Sequence, residues 1–120
     1  KSDYISIHAP LTDETRHMIG AQSIASMKDG VQIVCAARGG VIDEKVLLEA
    51  LELGKVAGVA LDVFEIEPPS DSHLLRHPNV IATPHIGAQT MEAQIRVGID
   101  IAREVLAQLG EADKVRWKVV

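Results

Sequence analysis

Four short apolar runs punctuate the chain, at residues 4–8, 32–36, 57–63 and 80–83. Each is long enough for a strand and too short for a helix. Each also stops in small or polar residues: His8-Ala9-Pro10, Ala37-Arg38-Gly39-Gly40, the stretch from Asp62 to Pro69, and Pro84-His85-Ile86-Gly87. Helical stretches lie between the runs. Residues 21–27 predict a short helix stopped by Asp29-Gly30. Residues 44–53 carry Leu47, Ala50 and Leu51 on one face, with Asp43 placed to cap the start and Gly54 to stop the end. Residues 74–76 fit a single turn. A long helix over 91–109 opens after Thr90 and closes at Gly110. Met91, Ile95, Ile99, Ala102 and Leu106 form one apolar stripe along it, and Val97, Ile101 and Val105 a second, which predicts burial on more than one side. Residues 114–120 fit a further strand with nothing in this chain to pair with.

Strands alternating with helices, with no hairpin signal, predict an α/β fold with a parallel sheet and right-handed crossovers. In such sheets ligands bind beyond the carboxyl ends of the strands, and the residues here with chemistry to offer sit at strand ends.

Composition narrows this picture. At 120 residues, 47% of them hydrophobic, the chain suits one domain with a real core. With one Tyr, one Phe and one Trp, that core must be Val, Ile, Leu and Ala, a diet that predicts strands covered on both faces by helices. The net charge of −5, with no basic patch, argues against nucleic acid or an anionic membrane as partner. No apolar stretch is long enough to span a bilayer, and the start has no signal-peptide pattern. The single cysteine, Cys35, lies in an apolar run and is expected to be a buried small hydrophobe in a reducing cytoplasm. Lys1-Ser2-Asp3 runs straight into a strand pattern without an initiator Met, so the chain is read as a piece of a longer protein.

Three residues stand out chemically. Arg38 precedes two glycines; its planar guanidinium can hold a carboxylate with two hydrogen bonds, and glycines let a ligand approach the backbone. The same pattern fits a surface Arg in a tight turn. Glu67 and His85 follow strands that can be neighbours, and a carboxylate bonded to one ring nitrogen makes a His a competent general acid or base. A solvated loop charge and a turn residue fit them equally. His73 and His77 have helical spacing for a metal pair but no third ligand nearby, so no metal is expected. No serine sits in a nucleophile-elbow pattern. A Gly-x-Gly-x-x-Gly phosphate loop does not occur in these 120 residues.

The blocks HAPLTDETRHMIG, MKDGVQIVCAARGGVIDEKVLLEALELGKVAGVALDVFEIEPP and LLRHPNVIATPHIGAQTMEAQ, in this order and spacing, resemble the D-isomer-specific 2-hydroxyacid dehydrogenases. The likeness runs from about Asp3 to Gly110 and corresponds to the second half of a Rossmann-type doubly wound sheet. It implies that residues 1–110 are the C-terminal half of an NAD-binding domain, and that 111–120 return toward a substrate domain. By resemblance, Arg38 grips the carboxylate of a small 2-hydroxy or 2-oxo acid. His85 exchanges the hydroxyl proton while hydride passes to or from NAD, and Glu67 orients His85; Glu65 is not the matching carboxylate. Resemblance also implies cofactor contacts from Ala9 and Pro10, from Ala36, Ala37 and Arg38, from Asp62, and from His85, Gly87 and Ala88. Cys35 departs from the Asn or Thr common there, which leaves support of that loop to backbone contacts.

Within the family, the TPHIGAxTxEAQ block looks most like the D-3-phosphoglycerate dehydrogenases. A hydroxypyruvate or glyoxylate reductase is the alternative, as is a non-catalytic module that keeps the fold. The residue that tells NAD from NADP lies outside this chain in the family. A homodimer or higher homo-oligomer is expected of the full-length enzyme, with little or no turnover from the 120 residues alone.

Overall fold

In a computed structural model of the chain, residues 1–70 and 72–110 are described. They fall in two units, Lys1–His85 and Ile86–Val120, the second described as far as residue 110. The first unit runs β1 (Tyr4–Ile7), α1 (Ala21–Ser26), β2 (Val31–Cys35), α2 (Glu44–Glu52), β3 (Val56–Leu61), a 3₁₀ turn (His73–Arg76) and β4 (Val80–Ala82). The second holds α3 (Met91–Gly110). Every apolar run expected to be a strand is one, and each expected helix is present within a residue or two. Residues 111–120, including the strand expected over 114–120, lie outside the described residues.

All strand pairs are parallel and the order is β1-β2-β3-β4. Ile7 pairs with Cys35, Cys35 with Leu61, and Leu61 with Ala82. This register aligns the carboxyl ends of all four strands on one edge. Neighbouring parallel strands lie ~4.8 Å apart, so the turns leaving β2, β3 and β4 emerge side by side.

The expectation of cover on both faces is not met within this unit. In β2, Val31, Ile33 and Cys35 are buried while Gln32 and Val34 alternate outward. A sheet that grows in one direction, with crossovers of one hand, carries its connecting helices on one face. The core beneath that face is aliphatic: Val31, Ile33, Val41, Leu47, Val56 and Leu74 are almost wholly buried, and Phe64 is its one aromatic. Cys35 is buried and free, as expected.

Local sequence explains the helix ends. Asp43 caps α2 by accepting from the Lys45 and Val46 amides, each at 3.1 Å. Beyond α2, Gly54 adopts φ of +72°, the left-handed stop that glycine tolerates. In the second unit the Thr90 hydroxyl accepts from the Ala93 amide at 3.1 Å and opens α3. Neither apolar stripe of α3 contains a buried residue, so the described residues do not supply the burial expected on two sides. His73 and His77 do not share a helical face either. His73 begins a 3₁₀ turn, His77 follows it in extended conformation, and its Nδ1 accepts from the Asn79 amide.

One contact sets the spacing of two strand-end turns. Gly39, just after β2, lies so close to the turn after β3 that a Cβ there would sit 1.8 Å from the Phe64 carbonyl oxygen. Only a residue without a side chain fits. In the intact protein, Gly39→Ala is therefore expected to lower stability by about 1–3 kcal/mol, the usual penalty of overpacking. A chemical denaturation midpoint would show it; an unchanged midpoint would mean that the two turns are free to separate.

Candidate active site

The carboxyl-end edge of the sheet gathers Arg38, Asp62, Glu67 and His85, each on the turn that follows β2, β3 or β4. His85 comes three residues after β4 and has φ of +56°. A non-glycine residue in the left-handed region carries backbone strain, which makes its orientation a specific feature of the turn. Its amide donates to the Thr83 carbonyl at 3.0 Å. The ring Nδ1 lies 2.8 Å from Oε2 of Glu67.

Glu67 is held by both of its oxygens. While Oε2 meets His85, Oε1 accepts from the Phe64 amide at 3.0 Å. The hydrogen bond from His85, followed by that from Phe64, holds the Glu67 carboxyl below the usual carboxylate range. An anion on Nδ1 selects the tautomer with the proton on Nδ1 and stabilises the charged imidazolium. The two side chains expected from sequence to meet are thus in contact.

Asp62 is the one buried charged residue among the described residues. The Thr83 hydroxyl donates to its Oδ1, and its own amide donates to the Cys35 carbonyl at 3.0 Å. The backbone carbonyl of Cys35, not its thiol, thus braces the β2–β3 edge. Thr83 was not singled out in the sequence, although its place two residues before His85 and its hydroxyl make it the natural link between β4 and Asp62.

Arg38 is exposed, and its Nη1 donates to the neighbouring Ala37 carbonyl at 2.6 Å. It makes no ion pair among the described residues. Since β2 and β4 are two strands apart, Arg38 and His85 leave the sheet roughly 10 Å from one another along the edge. Ala9 and Pro10 share a hollow of about 390 Å³ with His8, Leu11, Ala37 and Arg38. Ala36 is the exposed residue directly after β2. Gly87 and Ala88 belong to the second unit, in the turn before α3.

Three further side chains, Glu44, Glu65 and His17, meet beside the Glu67 turn in a contact that the sequence did not indicate. Glu65 exchanges hydrogen bonds with Glu44 at the start of α2, and His17 Nε2 lies 3.1 Å from Oε1 of Glu65. Burial pushes the Glu44 carboxyl up; the Glu65 amide opposes this, while the Glu65 and Glu67 carboxylates add to it. The signal was hard to find, since 21 residues separate Glu44 from Glu65.

Residues 1–87 match the family model described as D-isomer specific 2-hydroxyacid dehydrogenase, NAD binding domain. The chain is 57% identical over 113 residues to a hydroxypyruvate reductase of Thermotoga maritima, covering 92% of this chain and 37% of that protein. It is 56% identical over 105 residues to the D-3-phosphoglycerate dehydrogenase of Bacillus subtilis, covering 88% and 20%. Among solved structures, a glyoxylate reductase from Paecilomyes thermophila superposes with a TM-score of 0.88 at 44% identity, covering 92% of this chain and 34% of that one. The chain therefore spans between a fifth and two-fifths of the relatives it matches. A family-model match over residues 1–87 and identities above half place the chain in the D-isomer specific 2-hydroxyacid dehydrogenase family, within its NAD-binding domain.

Proposed function

We propose that the protein is an NAD-dependent D-2-hydroxyacid dehydrogenase whose acid–base pair is His85 and Glu67 and whose substrate-carboxylate ligand is Arg38. The observation that carries this reading is the 2.8 Å contact between His85 Nδ1 and a Glu67 carboxylate already anchored on the Phe64 amide. With Nδ1 committed to Glu67, Nε2 is the ring atom that exchanges a proton with the substrate oxygen. In oxidation it takes the hydroxyl proton; in reduction the imidazolium returns one to the developing alkoxide. Glu67 stabilises the cationic ring without taking the proton. Arg38 supplies a planar fork that fixes the carboxylate and so the face of C2.

NAD supplies the acceptor or donor of hydride. The residues present fit its nicotinamide end. A buried carboxylate, Asp62, lies at the edge of the sheet, and the hollow at the strand-end crevice is lined by Ala9, Pro10, Leu11 and Ala37 together with the polar His8 and Arg38. Asp62 is assigned to the carboxamide, Ala36, Ala37 and Arg38 to the ribose beside it, and Ala9 and Pro10 to the adenosine side. His85, Gly87 and Ala88 complete the contacts. The phosphate loop has no counterpart in these 120 residues, so they are not expected to turn over by themselves. Residues 1–110 are read as the C-terminal half of the cofactor domain and 111–120 as leading toward the substrate domain.

For substrate, the TPHIGAQTMEAQ stretch favours 3-phosphoglycerate, which would place the enzyme at the entry to serine biosynthesis. Hydroxypyruvate or glyoxylate is the second reading, favoured by the identity to the Thermotoga maritima enzyme. A cytoplasmic homo-oligomer is the expected setting.

In the intact protein, His85→Ala should lower kcat by about 10²–10⁴-fold, the usual contribution of a positioned acid–base group, while NADH binding persists. Turnover at the wild-type rate would overturn the assignment. Arg38→Lys should raise KM for the hydroxy acid far more than it lowers NAD affinity, because an ammonium cannot reproduce the two-pronged grip; equal KM values would remove Arg38 from the substrate site. The Glu67 carboxyl is held below its ordinary range, so its pairing stabilises the fold above the unfolded-state value of about 4.3. That contribution fades as pH falls through the lowered folded value. The stability gap between wild type and Glu67→Gln should accordingly be widest near neutrality and close on acidification. Because both side chains are partly exposed, the gap should stay at or below about 1 kcal/mol. Denaturation midpoints across that pH range would measure it, and a gap that grows in acid contradicts the pairing.

A further inference from the structure

We infer that Glu44 and Glu65 form a clasp that positions Glu67, and through it His85, for proton transfer; the inference rests on the acid–base reading above. The clasp is reciprocal. The Glu44 amide donates to Oε1 of Glu65 at 3.2 Å, and the Glu65 amide donates to Oε1 of Glu44 at 2.6 Å.

Its origin is a shortage at the start of α2. The first amides of a helix have no partner within it. Asp43 satisfies those of Lys45 and Val46, and the Glu44 amide is left over. A carboxylate 21 residues away fills the gap, and an anion there is also favoured by the helix dipole. In return, the side chain of Glu44 fixes the backbone of Glu65. His17 holds the same Glu65 oxygen from the other side, at 3.1 Å, and its own amide is anchored on the Gly40 carbonyl at 2.8 Å.

Residue 65 is therefore held by both its backbone and its side chain. Its neighbour Phe64 supplies the amide that fixes Glu67 Oε1, and Glu67 Oε2 in turn fixes His85. The Phe64 carbonyl meanwhile rests on Gly39. The turn that carries Glu67 is thus set by the N-terminus of α2 and by the turn after β2, and not by β3 alone. Neither Glu44 nor Glu65 has a hydrogen bond or ion pair to His85, so both are positioning residues.

The test uses the intact protein, with 3-phosphoglycerate oxidation and hydroxypyruvate reduction as paired assays. Glu65→Ala and Glu44→Ala should each lower kcat about 10- to 100-fold, the cost of a small misplacement of a catalytic group, with KM for the hydroxy acid close to wild type. Glu65→Gln and Glu44→Gln keep an acceptor oxygen at the same position and should recover most of the lost rate. Each Ala variant breaks one clasp bond, but Glu44→Ala also keeps the His17 contact of Glu65 and serves if Glu65→Ala does not fold. An activity-independent readout is the proton NMR signal of His85 Nδ1–H. It should remain sharp in wild type and both Gln variants, and be lost to solvent exchange in the Ala variants.

If the Ala variants melt earlier but keep the wild-type kcat and the His85 signal, the clasp serves stability alone and the inference is overturned. A separate result distinguishes failure of the underlying reading. Should His85→Ala leave turnover intact, the acid–base assignment falls, while the NMR signal still reports whether the clasp orients the ring.

Discussion

A carboxylate with each oxygen committed to a different partner is the centre on which this site depends. Glu67 binds its own turn through the Phe64 amide and binds His85 through the other oxygen. Either bond alone would leave the carboxylate able to rotate. Together they fix its plane, and a fixed plane fixes the imidazole that shares it. Because the pair is partly exposed, its value lies in orientation more than in stability.

What brings this pair together is the parallel register. β3 and β4 are neighbours, paired from Val59 with Val80 to Leu61 with Ala82, so the turns that follow them emerge at the same height. Thr83 and Asp62 tie the same two ends one step closer to the sheet, with Asp62 buried and Thr83 at the surface. The strained backbone of His85 then aims the ring along the edge, toward Glu67. Register, the Thr83–Asp62 link and the backbone turn are three constraints that converge on the β4 end and His85. Such density of constraint is what a group needs if it is to meet a substrate atom at hydrogen-bond distance.

The second turn of the site, after β2, is governed differently. Its contact with the Glu67 turn is steric, through the missing side chain of Gly39, and Arg38 itself lies folded against Ala37. Among the described residues the Arg38 side chain is held by a neighbouring carbonyl, whereas Glu67 and His85 hold one another. The site thus combines a doubly anchored carboxylate–imidazole pair with a guanidinium bonded to its neighbouring carbonyl.

Much of this was legible in the chain itself. Alternating short apolar runs and helical stretches, with no hairpin signals, determine a parallel α/β sheet, because local periodicity and turn chemistry act over a few residues and need no partner. The cap at Asp43 and the stop at Gly54 are likewise local, and the blocks around Arg38, Glu67 and His85 mark those residues by resemblance. Other features depended on residues far apart in sequence. Composition suggested cover on both faces of the sheet, yet sequential strand order places the helices of the first unit on one. The stripes of α3 promised burial that the described residues do not supply. The Glu44–Glu65 exchange, the Thr83 link to Asp62 and the fit of Gly39 under Phe64 join residues about 20 or 25 positions apart. No period or motif encodes such contacts. They exist only once parallel pairing has brought the strand ends side by side, and that step belongs to the tertiary structure.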